Sequence, residues 1–341
     1  MKNKQLLSIQ YLRAVAALAI VFYHARDQFP GFQAVFPSNI GSAGVDIFFA
    51  VSGFIMVFIT DLGDRHVPKF IWNRIIRIVP LYWFYSMLTI LLLVFAAGLF
   101  RGNGLTWEHV ILSLLFIPHQ NPGTMTISPL VKVGWTLDYE MFFYFIFALS
   151  MLVNYRRRIL LTCSGLLLLV TIGAFQFTWL PNALQFYCSD IILEFGAGML
   201  LCRIYQTGKL QPASFIKISL FLIGIWAIAI HFVPGILAWR SIKYGIPAVI
   251  FVAGMLAFEK FMTEFRLPLL LGNASYSIYL SHVMAIAILR YIYPKLGIPT
   301  AGLISTLIFV LAALILGSLG GIISHFWVEK PLLNWCRSIR S

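Results

Sequence analysis

Two ionisable residues interrupt the first apolar stretch of the chain, QYLRAVAALAIVFYHARD, where Arg13 and His24 stand eleven residues apart. At about 3.6 residues per turn, eleven residues make almost three turns, so both side chains lie on one helix face, about 16 Å apart along the axis. Ionisable groups inside a membrane segment are costly and usually functional. The structural alternative is that Arg13 extends to one membrane interface and His24 caps the other end of the helix.

Two carboxylates are predicted at the depth of His24. Asp46 lies near the start of GVDIFFAVSGFIM, and Glu140 lies within GWTLDYEMFFYFIF. A carboxylate that orients a histidine and stabilises its imidazolium is a general-base arrangement. Asp138 and Glu140 are two residues apart and cannot share a helix face, so we expect only one of them to face the interior. A buried polar cluster that only connects helices is the alternative.

A second cluster is basic. Arg74 and Arg77, in NRIIRIVPLYW, are three residues apart and share a helix face. Together with Arg13 they could build an anion site that faces the cytoplasm, because a guanidinium group binds phosphate oxygens in a bidentate manner. The alternative is the ordinary positive charge of cytoplasmic loops.

Three polar residues in LGNASYSIYLSHV are spaced i, i+4 and i+7, namely Ser275, Tyr279 and His282. They line one helix face and could border a polar tunnel or form hydrogen bonds between helices. The other histidines have no carboxylate or histidine at ligand spacing, and we expect loop or interface roles for them and no metal site. They are His66, His109, His119, His231 and His325.

Composition sets the class of protein. Of 341 residues, 60% are hydrophobic and 11% are charged, whereas soluble domains carry about 25% charged residues. The sequence therefore predicts a multi-pass membrane protein. The net charge of +13 is typical of basic cytoplasmic loops and anionic headgroups, and we expect no nucleic-acid partner. The four cysteines show no CxxC spacing, and neither a Walker loop nor GxGxxG is present.

The apolar runs indicate an all-α fold with about ten transmembrane helices, since a crossing of the ~30 Å hydrocarbon core takes about 20 residues. The run 109–118 is too short to cross and is predicted to be interfacial or re-entrant. We expect a single transmembrane domain over residues 1–341, without an attached soluble domain. The ten predicted spans are 9–27, 44–61, 79–100, 133–153, 159–176, 188–206, 215–232, 243–260, 271–292 and 300–325.

Basic residues orient these spans. With both termini in the cytoplasm, 18 of the 25 lysines and arginines fall on the inner side and seven on the outer side. The positive-inside rule favours this arrangement. Arg13 then lies at the cytoplasmic boundary and His24 near the outer one. Had 109–118 crossed the membrane, YRRR at 155–158 would lie outside.

Taken together, these motifs resemble the membrane-bound acyltransferase-3 family, which moves acyl groups onto sugars of polysaccharides and related glycans. The matching features follow the family's order and cover nearly the whole chain. The opening segment looks most like exopolysaccharide O-acetyltransferases of the succinoglycan type. The features are the Arg13–His24 pair, GVDIFFAVSGFIM, NRIIRIVPLYW, WTLDYEMFFY, GNASYSIYLSH and VEKPL.

The resemblance implies an acyl-coenzyme A donor, such as acetyl-CoA, on the cytoplasmic side of a bacterial inner membrane. It implies an acceptor hydroxyl on an outer-side glycan or on a lipid-linked precursor. Many members have serine where Thr136 stands and an acidic residue where Met141 stands. Some carry an additional soluble transferase domain, so we expect transfer here to finish within the membrane domain.

This resemblance and the spacing suggest roles for the polar residues. We expect His24 to act as general base, with Glu140 or Asp46 holding its tautomer, although a covalent acyl-histidine is an open alternative. The ~16 Å between Arg13 and His24 suits the long arm of coenzyme A. Binding of the phosphate-bearing head of coenzyme A is assigned to Arg13, Arg74 and Arg77. Substrate-binding roles are assigned to Trp135, Ser52, Tyr279 and His282.

Two other classes of function stay open from the sequence. A polytopic transporter or flippase of lipid-linked sugar often shows inverted repeats around a midplane site, and no repeat is evident here. A non-enzymatic assembly subunit would not need His24 and Glu140. Consumption of acetyl-CoA by the purified protein would separate an enzyme from both.

Overall fold

The computed structural model describes residues 5–36, 39–63, 65–95, 104–175, 181–217 and 238–339, together with 219, 220, 223 and 235. Within these residues the regular elements are helices, and the only extended pairings are two isolated β-bridges. The predicted all-α class is thus confirmed for the described part of the chain. The predicted span 215–232 lies largely outside it.

Fourteen α-helices are numbered here in chain order over the described residues. Two π-helical turns, Ser241–Gly245 and His325–Glu329, lead into α10 and α14 respectively. The α-helices are α1 (Leu7–Arg26), α2 (Pro30–Val35), α3 (Ala43–Leu62), α4 (Val67–Phe95), α5 (Trp107–Leu114), α6 (Trp135–Asn154), α7 (Arg158–Ala174), α8 (Asn182–Tyr187), α9 (Leu193–Gln206), α10 (Ile246–Ala257), α11 (Arg266–Asn273), α12 (Ser275–Ile292), α13 (Leu303–Ser324) and α14 (Lys330–Ser338).

Helix α1 lies in the middle of the bundle and packs against α3, α11, α12 and α13. At Gly272 of α11, an added Cβ would lie 2.1 Å from the backbone oxygen of Gln10. Only glycine allows the two backbones to approach so closely, a device common among membrane helices. Because α1 is enclosed, its polar residues must face other helices or internal cavities.

Helices α3 and α9 are held together by a reciprocal pair of glycines. An added Cβ at Gly53 would lie 2.0 Å from the backbone oxygen of Phe195, and one at Gly198 would lie 2.0 Å from that of Ala50. Any larger residue would force the helices apart. This contact fixes α3 and thereby the positions of Asp46 and Ser52, which are buried on it.

Five helical segments of the described residues are long and apolar enough to cross a membrane, or six if the bent pair α11–α12 is one span. The axis of that pair turns by 77° between residues 273 and 275. The predicted spans 9–27, 44–61 and 300–325 each coincide with one such segment. The structure therefore supports a membrane protein, but it does not establish a count of ten or the side on which the termini lie.

Several predicted boundaries differ from the structure. Helix α4 begins at Val67, twelve residues before the predicted start of 79–100, and it contains Pro80. In place of 188–206 and 243–260 stand helices α9 and α10, of 14 and 12 residues. Both are shorter than the ~20 residues of a typical crossing.

The continuous helical run 132–174 folds back on itself. The Thr162 hydroxyl donates to Ser150 Oγ at 3.0 Å, although twelve residues of straight helix would separate them by about 18 Å. The reversal follows Asn154, whose backbone is extended and whose side chain accepts from the Arg157 amide. The predicted helices 133–153 and 159–176 are therefore the two arms of a hairpin.

The run 109–118 forms only the eight-residue helix α5, so the prediction that it is too short to span is confirmed. The Thr106 side chain caps it by accepting from the His109 amide. Tyr82 and Trp83 of α4 donate to the backbone oxygens of Ser113 and Leu114. These bonds hold α5 against α4.

Candidate active site

One cavity, called here the arginine cavity, brings together the predicted basic cluster. Its lining includes Arg13, Arg74 and Arg77, and its volume is about 80 Å³. Arg13 of α1 is 9% exposed and donates to the Gln10 side chain at 3.3 Å. The two arginines of α4 reach the same space, as expected from their shared helix face. Three guanidinium groups at one small cavity can bind an anionic ligand.

Glu140 lies in the arginine cavity and supplies its carboxylate. Its Oε1 accepts from Ser52 at 3.0 Å and from the Tyr144 hydroxyl. Asp138 points elsewhere and is buried, as expected for two residues that cannot share a helix face. Glu140 therefore lies with the three arginines and not at the level of His24.

The second cavity, called here the outer cavity, contains His24. It has a volume of about 240 Å³ and is bordered by α1, α12 and the segment before α6. Its polar lining comprises His24, Gln28, Thr89, Lys132 and Arg290. Arg13 and His24 thus face two different cavities and stand about 16 Å apart along one helix.

A hydrogen-bonded group joins residues of the two cavity linings. Thr136 Oγ1 and the Tyr279 hydroxyl are 2.6 Å apart, and the Tyr279 hydroxyl donates to the Val133 backbone oxygen at 2.5 Å. Thr136 and Tyr279 line the arginine cavity, whereas Val133 lines the outer one. We call this contact the Tyr279 barrier.

The neighbour of His24 is a histidine and not a carboxylate. The rings of His24 and His282 have centroids 5.3 Å apart. His282 is fully buried, and its Nδ1 must carry a hydrogen because it lies 3.1 Å from the Ile278 carbonyl oxygen, which can only accept. Its Nε2 has no hydrogen-bond partner among the described residues.

The expected contact of His24 with Asp46 is wrong. Asp46 Oδ2 accepts from Arg240 at 2.6 Å, and the buried carboxylate of Glu194 is its electrostatic neighbour. In the part of the chain that the structure describes, no hydrogen bond joins His24 to Asp46 or to Glu140. Glu140 instead lies beside Arg13, at the other end of α1 from His24, and Asp46 points toward Arg240.

Some of the remaining predicted residues line a cavity and others do not. Ser52 and Tyr279 line the arginine cavity. Trp135 is partly buried and packs on Tyr139, with ring centroids 6.0 Å apart, and it is absent from the described lining of both cavities. Met141 packs against the hydrophobic core.

A polar cluster that the sequence analysis missed lies at the start of α14. His325 Nδ1 is 2.7 Å from Glu329 Oε2, which also accepts from Ser277 at 2.6 Å. The statement that His325 has no carboxylate at ligand spacing was wrong, because positions i and i+4 of a helix are neighbours. The sequence HFWVEKP already shows His325 and Glu329 four positions apart.

His109 and His119 were also misjudged. His109 Nδ1 lies 2.6 Å from His119 Nε2, and His119 Nδ1 lies 2.7 Å from the Ile117 carbonyl oxygen. The ten intervening residues bend back after α5, a path the spacing does not indicate. Within the described residues, no group of three or more His, Cys, Asp or Glu side chains is placed to hold a metal ion.

The chain belongs to acyltransferase family 3, since the model of the family's acyltransferase domain matches residues 6–324. The predicted resemblance and the prediction of an acyl-transferring enzyme are therefore confirmed.

Two relatives show how close the match is. The chain is 36% identical to the exopolysaccharide production protein ExoZ of Rhizobium meliloti over 89% of this chain and 92% of that protein. It is 24% identical to the acyltransferase MdmB of Streptomyces mycarofaciens over 96% of this chain and 91% of that protein. No solved structure matches the chain.

Proposed function

We propose that this protein is an O-acyltransferase of a bacterial inner membrane that moves an acyl group, in the simplest case acetyl, from acyl-CoA to a hydroxyl of an exopolysaccharide glycan or its lipid-linked precursor. The observation that carries the proposal is the placement of Arg13 and His24 on one helix but at two cavities. Such an arrangement lets donor and acceptor approach the same reaction from opposite sides. The relative named for exopolysaccharide production supports the class of acceptor.

The arginine cavity is the proposed donor site. Coenzyme A has a phosphate-rich head on a thin arm, and a cavity of about 80 Å³ suits the arm and not the head. The head would lie at the cytoplasmic mouth, where Arg13, Arg74 and Arg77 would bind its phosphates. Ser52 and Glu140 would offer hydrogen bonds to the amide groups of the arm.

The outer cavity is the proposed acceptor site, with His24 as general base. The neutral imidazole would remove the proton of the acceptor hydroxyl as its oxygen attacks the thioester carbonyl. The carbon–sulfur bond then breaks, the coenzyme A thiolate leaves with the electron pair, and the imidazolium returns the proton to the sulfur. In the covalent route, His24 attacks the thioester first and the coenzyme A thiolate leaves. The acceptor hydroxyl then attacks the acyl-imidazole, the bond between carbon and imidazole nitrogen breaks, and the hydroxyl proton passes to the thiolate.

The thioester has to pass the Tyr279 barrier in either route. Because the hydroxyls of the Tyr279 and Thr136 side chains donate the hydrogen bonds that close the gap, with the Val133 backbone oxygen as an acceptor, rotation of one side chain would open it. This makes donor entry and acyl transfer separable steps.

The test uses purified protein in sealed proteoliposomes with acetyl-CoA. We expect thiol release to depend on an added lipid-linked oligosaccharide, with the acetyl group recovered on the sugar. His66→Gln, an exposed histidine distant in sequence, serves as the matched control for His24→Gln. Thiol release that is the same in wild type and in His24→Gln would remove His24 from the reaction, and uptake of the oligosaccharide without acetyl transfer would favour a flippase.

A further inference from the structure

The outer cavity is lined by positively charged side chains without a carboxylate among its described lining residues. Lys132 and Arg290 both line it, and they are close enough for their positive charges to repel. No Asp or Glu is among its described lining residues. The arginine cavity differs, because Glu140 lies among its three cations.

Neighbouring cations at this end of the bundle are neutralised. Arg26 lies 2.9 Å from Asp27, and Arg240 lies 2.6 Å from Asp46. By contrast, the ion pairs of the described residues include neither Lys132 nor Arg290. Asp27 is the nearest acid in sequence to His24, and it is already held by Arg26 and Gln33.

The two cations are placed so that they could hold an anionic ligand next to His24. Arg290 lies on α12 two turns beyond His282, and Lys132 lies just before α6. Both enclose the space into which His24 opens, and the remaining lining is largely apolar, with Leu130, Val131 and Met284. A ligand that neutralises both charges would be held with an adjacent group at His24.

We propose that the outer cavity selects an acceptor that carries an anionic group, carboxylate or phosphate, which Lys132 and Arg290 bind so that a nearby hydroxyl meets His24. This inference rests on the proposed function, because it names the acceptor class for that reaction. Charge-assisted hydrogen bonds from lysine and arginine are about twice as strong as neutral ones and suit both anions. The group comes either from an acidic sugar or from the diphosphate of a lipid carrier.

Three matched acceptors distinguish these sources. The first is a neutral glucose tetrasaccharide, the second is the same tetrasaccharide ending in glucuronic acid, and the third is the neutral tetrasaccharide on a short polyprenyl diphosphate. With wild-type protein and acetyl-CoA, we expect kcat/KM for one or both anionic acceptors to exceed that for the neutral one by about tenfold or more, the range of a charge-assisted contact. Preference for the glucuronide assigns the anion to the glycan, and preference for the diphosphate assigns it to the carrier.

The variants decide whether the two cations cause the preference. In Lys132→Gln/Arg290→Gln the anionic preference should disappear, whereas Lys132→Arg/Arg290→Lys should retain most of it. Lys295→Gln is the control, because Lys295 is an outer cation that lies over the Tyr291 ring at 3.7 Å and not in the cavity. Equal use of all three acceptors by wild type, or a preference that persists in the double variant, overturns the proposal.

A binding measurement separates this inference from the reaction itself. Affinity for the glucuronide and for the diphosphate-linked acceptor is measured by thermophoresis without acetyl-CoA. Suppose that the anionic acceptors bind tightly, that only the double glutamine variant loses this binding, and that no acyl group is transferred to the bound sugar. That result would support the anion site and refute the proposed acyl transfer. Equal binding by wild type and double variant would refute the anion site whatever the transfer activity.

Discussion

His24 and His282 lie next to each other beside the outer cavity, with ring centroids 5.3 Å apart. His24 opens into the outer cavity, whereas His282 is fully buried behind it. The expected orienting carboxylate is replaced by an imidazole whose Nδ1 is fixed by the Ile278 carbonyl oxygen. The chemistry proposed for His24 therefore depends on a neighbour that does not itself face the acceptor.

The first prediction concerns these two histidines. His24→Gln should lower acyl transfer by about 10²–10⁴-fold, the usual contribution of a general base, with folding and donor affinity retained. His282→Gln should lower kcat while KM for the acceptor stays unchanged, because His282 positions His24 and does not line the cavity. Steady-state kinetics and melting temperature are measured for both. Substantial transfer by His24→Gln would exclude both the general-base and the acyl-histidine routes.

The second prediction concerns the arginine cavity. Arg74→Ala or Arg77→Ala should weaken acyl-CoA binding by about 1.5–3 kcal/mol, roughly ten- to a hundredfold, because each removes a charge-assisted contact. The loss should shrink for acyl-pantetheine, which lacks the nucleotide phosphates. Titration of donor binding measures this, with Arg337→Ala on the exposed face of α14 as control. Unchanged donor affinity in both variants would remove these arginines from the site.

The third prediction concerns the Tyr279 barrier. Tyr279→Phe removes the hydroxyl that bonds Thr136 and Val133 but keeps the ring. We expect acceptor-independent hydrolysis of acyl-CoA to rise severalfold, since water of the outer cavity gains access to the thioester. Tyr276→Phe is the control, because Tyr276 lines the same cavity but donates to Ile78. Equal hydrolysis by Tyr279→Phe and wild type would show that the hydroxyl does not separate the cavities.

The fourth prediction concerns topology. In a chain without its native cysteines, Gln33→Cys in the 28–43 loop should react with an impermeant maleimide added from outside. Cysteines in 233–242 should react likewise, and those in 61–78 should not. Arg156→Cys at the turn of the α6–α7 hairpin should react only after the membrane is opened, because basic loops stay in the cytoplasm. Labelling of residue 156 in sealed cells would reverse the proposed orientation.

The fifth prediction concerns the histidine pair beside α5. Burial, followed by the charge of His119, lowers the pKa of His109 to about 4 from its ordinary value near 6.5. The folded state therefore favours neutral His109, and this contribution to stability is lost as the pH falls from about 6.5 through about 4. The melting temperature of His109→Gln should fall less over that interval than that of wild type. His66→Gln should follow wild type, and identical curves for all three proteins would contradict the assignment.

Helix periodicity and depth were enough to predict the arginine cavity. Arg74 and Arg77 share a face, and the structure places both beside Arg13 in one cavity with Ser52, Glu140 and Tyr279. Each arginine needed only the correct face and height on its own helix, whereas Glu140 was predicted at the depth of His24 and lies instead among the arginines. The same reasoning does not predict rotation of one helix relative to another.

The unpredicted rotation of one helix relative to another explains why the wrong neighbour was predicted for His24. Asp46 pairs with Arg240, 194 residues away in the chain, because α3 and the π-helical turn before α10 meet there. His282 reaches His24 because the chain bends by 77° before α12. Neither contact has a sequence pattern of its own, since both depend on how non-adjacent helices dock. The Tyr279 barrier was missed for the same reason.

The Tyr279 barrier has a consequence for the cell as a whole. Two cavities arranged along α1 have this hydrogen-bonded group between their linings. In the proposed reaction, the acyl group would need only a brief, local opening to pass, and a closed gap at all other times would deny ions and protons a continuous water-filled path. The membrane would then keep its electrochemical gradient while the energy of a cytoplasmic thioester is used to modify a sugar on the other side.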